Sequence, residues 1–421
     1  MRMPGLLVVA SLAMVVLVSS GQAHPSAPST AADDVRELGK SIETLHPDPF
    51  RSVSRRRFQA EVDELARRTP SISRNELLVG VLRIIALLGP RNGHTGLFPG
   101  DSHAQPLRLY PLRLYHFADG VFVVGARDRS LVRNRLVAIE GTPVERVLEL
   151  VAPLTPADNP ANTRGMAPHY LLTAEVLDGL GVLDGTGPAT FTFERAGGQR
   201  ADVELAAMPG PQYAAAFADP QHGHNPSSLP TTARPFYLAA YAKPMWARTL
   251  ASGRAVYVGY NSVVPPSDGF VRSLTRLVRK PKVQRVIVDV RQNGGGDNTT
   301  YGPLTSLLGS QTVDRRGRLY VLIGRATFSA AANFAAELDR DTRATFVGEP
   351  TGGGVETYGD TFPLQLPTLG WNVYIAARYH HRKRSAKDRR LAVGADLRVD
   401  VTSAQYFSGR DPVLERALRG L

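Results

Sequence analysis

The chain has 421 residues, 43% of them hydrophobic, no cysteine, and a formal net charge of +12. That length suffices for two or three packed domains held by buried apolar surface, because disulfides, thiolate metal sites and cysteine nucleophiles are all excluded. The Lys and Arg residues are scattered along the sequence rather than gathered in one segment, which argues against a nucleic-acid partner.

Arg2 precedes an apolar stretch over residues 6–18, and small and polar residues then lead to Gly21-Gln22-Ala23. This is the pattern of a signal peptide over residues 1–23, cleaved after Ala23. The stretch is shorter than the run of about 20 residues that a spanning helix needs, and no later segment supplies one. The expectation is a secreted, extracytoplasmic chain with no integral membrane segment after processing. Residues 24–32, rich in Pro, Ser, Thr and Ala, are expected to be flexible.

An N-terminal helical domain is expected over 33–104. Its apolar residues recur at three and four positions, as in Val35, Leu38, Ile42 and Leu45, then Phe58, Val62 and Leu65, then Leu77, Leu78, Val81, Leu82 and Ile85. Ser71 and Ser73 offer N-cap hydroxyls to the last helix, and Gly89-Pro90 stops it. Over 105–208 the pattern changes to short alternating strands such as 120–124 and 190–193, interrupted by helical stretches. Residues 131–144 resemble the strand-turn-helix of a PDZ-like α+β module, where "V-x-x-I-x-G-x-x-V" is a common shape, with Leu136 at its first position here.

Residues 209–234, dense in Pro, Gly, His and Ser, are expected to form a linker. His222 and His224 sit there two apart; a metal site would need further converging ligands, so a solvated loop is expected. From 235 to 421, apolar runs at 255–260, 286–290, 319–323 and 344–347 alternate with helical patterns, which predicts an α/β domain with a buried, largely parallel sheet.

Three stretches fall where such a sheet places its site, at the carboxyl ends of strands. Asp289-Val290-Arg291-Gln292-Asn293-Gly294-Gly295-Gly296-Asp297 lets backbone N–H groups approach an incoming oxygen, as a phosphate cradle or an oxyanion hole. No Gly-Lys-Ser/Thr follows, which disfavours phosphate. Thr327-Phe328-Ser329-Ala330-Ala331 puts a serine at a strand-to-helix turn, beside the orphan N–H groups of a helix N-terminus. Alone, such a serine is more often an N-cap than a nucleophile. Val347-Gly348-Glu349-Pro350-Thr351-Gly352-Gly353-Gly354 closes the next strand with a second glycine loop.

In this order the patterns "D-x-R-x-N-x-G-G", "T-x-S-A-A" and "V-G-E-x-T-x-G" resemble the catalytic core of the tail-specific, or C-terminal processing, serine peptidases. The nearest likeness is to the tricorn-core and interphotoreceptor-retinoid-binding-protein branch, with a ClpP/crotonase-like catalytic domain. The resemblance is best over 235–415, including Asp411-Pro412-Val413-Leu414-Glu415, and looser over the PDZ-like stretch and N-terminal helices. It implies Ser329 as nucleophile, with oxyanion-hole donors on the backbone of Gly294 or Gly295 and of Ala330.

The best-known branch places a lysine base in the loop after "V-G-E-x-T", where this sequence has Gly354. His94, in Gly93-His94-Thr95, resembles the "G-H-T" motif of the tricorn-like branch and is the implied general base, since histidine titrates where a base is needed. That branch orients its histidine with a late glutamate; here Asp388 is the substitute on offer. His46 is expected to fix a loop, and His380 and His381 to lie at the surface or in a groove. The basic run from His380 to Arg384, with Lys387, Arg389 and Arg390, is expected to be a solvated loop, with contact to an acidic surface, phosphate or carboxylate as its alternative.

The function implied is a secreted serine-type peptidase acting on protein or peptide, with no cofactor and no metal. The alternatives are a catalytically weak ligand- or peptide-binding homologue, or an esterase on the same fold. Oligomeric state stays open.

Overall fold

The computed structural model describes residues 30–100, 104–217 and 234–420. The expected signal peptide, residues 24–29 of segment 24–32, and His222 and His224 lie outside the described residues. Three amphipathic helices come first: α1 (Ala31–Leu45), α2 (Arg55–Arg68) and α3 (Arg74–Ala86). α1 begins at Ala31 rather than near Asp33, because Thr30 and Asp33 close a capping box, each side chain accepting from the other's backbone N–H. Ser73 and Glu76 do the same for α3. The periodic residues Val35, Leu38, Ile42, Phe58, Leu78, Leu82 and Ile85 are buried in one shared core, as their spacing requires.

The next region is an antiparallel sheet of β1 (Leu112–Phe117), β2 (Gly120–Ala126), β3 (Arg135–Ile139), β4 (Ala189–Glu194) and β5 (Arg200–Leu205), in that spatial order. Alternation along β4 turns Phe191 and Phe193 inward. Helices α4 (Val144–Val151) and α5 (Pro160–Tyr170), with a further short helix over Ala174–Gly179, lie in the connection from β3 to β4. Asn159 caps α5, its side chain accepting from the N–H groups of Ala161 and Asn162, with Pro160 at the first helical position. Within the expected linker, Gly210–Ala216 is a short helix opened by Pro211.

The last region is built on β6 (Met245–Leu250), β7 (Ala255–Tyr260), α6 (Asp268–Val278), β8 (Arg285–Asp289), α7 (Gly302–Leu308), β9 (Leu319–Ile323), α8 (Ser329–Asp341) and β10 (Thr345–Gly348). After a hairpin of β11 (Glu356–Leu366) and β12 (Trp371–His381) come β13 (Leu397–Arg398) and α9 (Pro412–Leu418). The sheet order is β13-β10-β9-β8-β7-β6, parallel throughout except for the antiparallel edge strand β6. Its central strands are buried on both faces, so they read as unbroken apolar runs. Leu274, Leu304 and Phe334 of α6, α7 and α8 pack on one face, and Val413, Leu414 and Ala417 of α9 on the other.

The hairpin is the element that sequence periodicity did not disclose. It forms its own two-stranded sheet, and its Leu366, Trp371, Val373 and Ile375 join the core of the N-terminal helices. Gly96 of the loop after α3 pairs with Tyr374 of the hairpin, which carries that loop toward the six-stranded sheet.

Candidate active site

Ser329 is the first residue of α8, at a backbone φ of 49°. A non-glycine residue in the left-handed region costs about 1–3 kcal/mol and persists only where the surroundings impose it. Here they do. Thr327, fully buried, donates its hydroxyl to Val290 O at 2.8 Å and accepts from Gly324 N–H at 3.1 Å. Phe328 N–H donates to Asn293 O at 3.0 Å. The turn is thus tied to the loop after β8 through the two residues that precede the serine.

Ala330, Ala331, Ala332, Ala335 and Ala336 are all fully buried, and their small side chains let the helix enter the core close to the sheet. Ser329 itself stays partly exposed. The N–H of Ala330, in the first turn of α8, is one of the orphan donors of a helix N-terminus.

Two glycines are required by close approach. A Cβ at Gly295, whose φ is 120°, would stand 2.6 Å from Ser329 Cβ and 3.1 Å from its Oγ. A Cβ at Gly353 would stand 2.4 Å from Ala332 Cβ and 3.2 Å from Ser329 N. The two expected oxyanion donors on the β8 loop differ. Gly295 N–H already donates to Asn293 Oδ1 at 2.9 Å, whereas Gly294 N–H has no acceptor among the described residues.

His94 comes from the loop after α3. Asn92 anchors that loop, donating its side-chain amide to Leu88 O and sharing a 2.7 Å hydrogen bond between its Oδ1 and His46 Nε2, so His46 does fix a loop. Gly96 pairs with Tyr374 of β12, and Thr95 Oγ1 accepts from Ala376 N–H. His94 is thereby laid against Phe328, the residue before the nucleophile, with ring centroids 4.4 Å apart and planes at 26°. No hydrogen bond joins His94 to Ser329, and the buried Nδ1 of His94 has no partner among the described residues. Burial in the cleft pushes the imidazole below its ordinary pKa, partly offset by the charge of Asp158, while nearby His380 adds to the lowering.

The structure does not place Asp388 on His94. Its carboxylate takes Arg390 Nε and Nη2 at 3.0 and 2.7 Å, holding it well below the usual carboxylate range. His380, read from sequence as a surface or groove residue, lies beside His94 across Gly359, with Nε2 3.5 Å from Asp360 Oδ2. The basic run is solvated in part, with Arg384, Lys387 and Arg389 exposed, and is in part paired within the molecule. Arg382 pairs with Glu337, Lys383 with the buried Glu356 at 2.6 Å, and Arg384 and Arg390 with Asp339.

The sequence model of peptidase family S41 matches residues 297–392, a span that holds Ser329, Ala330 and the glycine loop at 352–354. The fold is similar to that of mature CPAF, at 14% identity and a TM-score of 0.60, covering 92% of this chain and 95% of that one. It is equally similar to mature CPAF complexed with lactacystin, at 14% identity, TM-score 0.60, 92% of this chain and 97% of that one. No curated protein matches the chain by sequence. Residues 297–392 therefore match the model of peptidase family S41, in a chain whose fold is similar to that of mature CPAF.

Proposed function

We propose that the chain is an exported serine peptidase that cleaves peptide bonds through a Ser329 acyl-enzyme, with His94 as general base. The observation carrying this reading is the conformation of Ser329, held at positive φ at a helix N-terminus whose preceding residue supports the His94 ring. Backbone strain at such a turn lifts a hydroxyl clear of the sheet, where an N-cap would instead fold back on its own helix.

In the first step His94 takes the Ser329 hydroxyl proton as Oγ bonds to the peptide carbonyl carbon. The carbonyl oxygen becomes an oxyanion, facing the N–H groups of Gly294 and Ala330. His94 then returns the proton to the leaving amine as the C–N bond breaks, and water hydrolyses the ester by the same route. An imidazole held below its ordinary pKa suits the first transfer. Export rests on the leader pattern of residues 1–23. The region of β1 to β5 is the candidate PDZ-like module for holding a substrate segment.

The test is a fluorophosphonate, with the adduct located by mass spectrometry. The wild-type chain should carry it on Ser329, Ser329→Ala should carry none, and His94→Ala should label at least ~100-fold more slowly. A folded wild-type protein left unlabelled at Ser329 would overturn the reading in favour of a binding homologue. Peptide and ester libraries then separate peptidase from esterase. Export predicts that protein recovered outside the cell begins at His24.

A further inference from the structure

Asp158 is fully buried and lies in the turn before α5, between two loops that are far from it in sequence. Its Oδ1 accepts from the N–H of Gly93 at 2.8 Å, and its Oδ2 accepts from the N–H of Gly354 at 2.9 Å. Its backbone carbonyl accepts from Arg91 N–H at 3.0 Å. Asn159 completes the clamp, donating its side-chain amide to the carbonyls of Thr351 and Gly352 at 3.1 and 2.8 Å. One of the clamped loops carries His94. The other packs on Ser329, since a Cβ at Gly353 would meet its backbone nitrogen.

We infer that Asp158 is the acidic partner of the His94–Ser329 pair, a positioning residue that fixes both loops with one carboxylate and supplies the negative charge facing the His94 imidazolium. This deepens the acyl-enzyme reading above and rests on it. An oxyanion-forming serine needs its base to become positively charged in the transition state, and a fixed carboxylate nearby stabilises that charge without taking the proton. In a cleft of low polarity this holds even without direct contact. The other groups facing the ring are His380 of β12, Asp360 of β11 and the Tyr358 carbonyl; Asp360 is half-exposed and already engaged by His380 and Arg378. Among them Asp158 has the largest influence in favour of the charged ring.

The experiment is the rate of fluorophosphonate labelling of Ser329 as a function of pH in the full chain, for wild type, Asp158→Asn, Asp158→Glu and Asn159→Ala. Asp158→Asn should label about tenfold more slowly, and the acid limb of its profile should move down by roughly one pH unit, because the imidazolium has lost its countercharge. Asp158→Glu, which keeps the charge, should hold the limb near its wild-type position. Asn159→Ala removes loop ties but no charge, and should lower the rate without moving the limb.

An Asp158→Asn profile that falls in height with its acid limb unmoved makes the residue merely structural and overturns the inference, while the hydrolase reading stands. A wild-type chain that is not labelled overturns both. If Asp158→Asn does not fold, the carboxyl carbon of Asp158 can be followed by NMR in the wild-type chain as His94 titrates. A shared midpoint supports the inference, and a carboxyl signal blind to His94 ends it.

Discussion

His94 lies face to face with Phe328, its ring centroid 4.4 Å from that of the residue that leads into Ser329. With no hydrogen-bond partner on Nδ1 among the described residues, the ring takes its tilt from this stack as well as from its loop. An aromatic pair of this kind is worth about 0.5–1.5 kcal/mol beyond buried area. Phe328→Ala should therefore lower kcat/KM by about 2- to 10-fold through loss of orientation, with Phe328→Tyr close to wild type. Steady-state kinetics on a common peptide substrate checks it, and an unchanged Phe328→Ala would show that the loop alone holds the ring.

The two glycines of the β8 loop should respond in opposite ways. At Gly295 an alanine methyl meets Ser329 Cβ at 2.6 Å and must also adopt a φ of 120°. Gly294 has open space where its Cβ would be and an ordinary φ. Gly295→Ala should cost at least ~100-fold in labelling rate, the scale of a disrupted oxyanion site, and Gly294→Ala only about threefold or less. Equal losses at the two positions would contradict this account of the loop.

The pH dependence follows from burial. His94 is shifted below its ordinary value of 6.5 mainly by desolvation, so the neutral base persists to lower pH and the acid limb of kcat/KM should lie below 6.5. Stability has the same sign. His46, His116 and His380 are also depressed by burial, His116 to about 4, while in the unfolded chain each protonates near 6.5. Below 6.5 the unfolded state binds more protons than the native one, so stability is fullest above that pH and falls as the pH drops toward 4. Thermal melts at pH 8, 6 and 4.5 should give a falling series of Tm values.

Ser329, His94 and their glycine loops were legible because each carries a local pattern: a serine at a strand-to-helix turn, a histidine in a glycine-bounded loop, and glycines past strand ends. Asp158 was not, because its work is done on Gly93 and Gly354, which lie 65 and 196 positions away. The only local sign was a capping Asp-Asn-Pro turn, which any helix start could show. The place of His380 beside His94 was hidden for a related reason. Its placement depends on the register of an antiparallel hairpin, which pairs Thr357 with His380 and sets Gly359 between the two imidazoles. The ion pairs of the basic run were not legible because its countercharges, Glu337 and Asp339, stand on α8, a separate element.

The β8 loop is also anchored from behind. Arg291 is buried between Asp289 and Asp411, donating through Nε to Asp289 Oδ1 at 3.0 Å and through Nη1 and Nη2 to Asp411 at 2.8 Å each. Tyr257 adds its hydroxyl to Asp289, and Asp411 in turn caps α9 by accepting from Leu414 N–H. Removing the guanidinium leaves two buried carboxylates without a cation, a change that typically costs about 3–5 kcal/mol. Arg291→Met should lower unfolding free energy by about that amount and slow Ser329 labelling, because the loop bearing Gly294 and Gly295 loses its anchor. Arg291→Lys should recover little of either, since one ammonium cannot span both carboxylates as the planar fork does. Denaturant unfolding of the three proteins checks the ranking, and an Arg291→Lys variant as stable as wild type would show that charge alone suffices there.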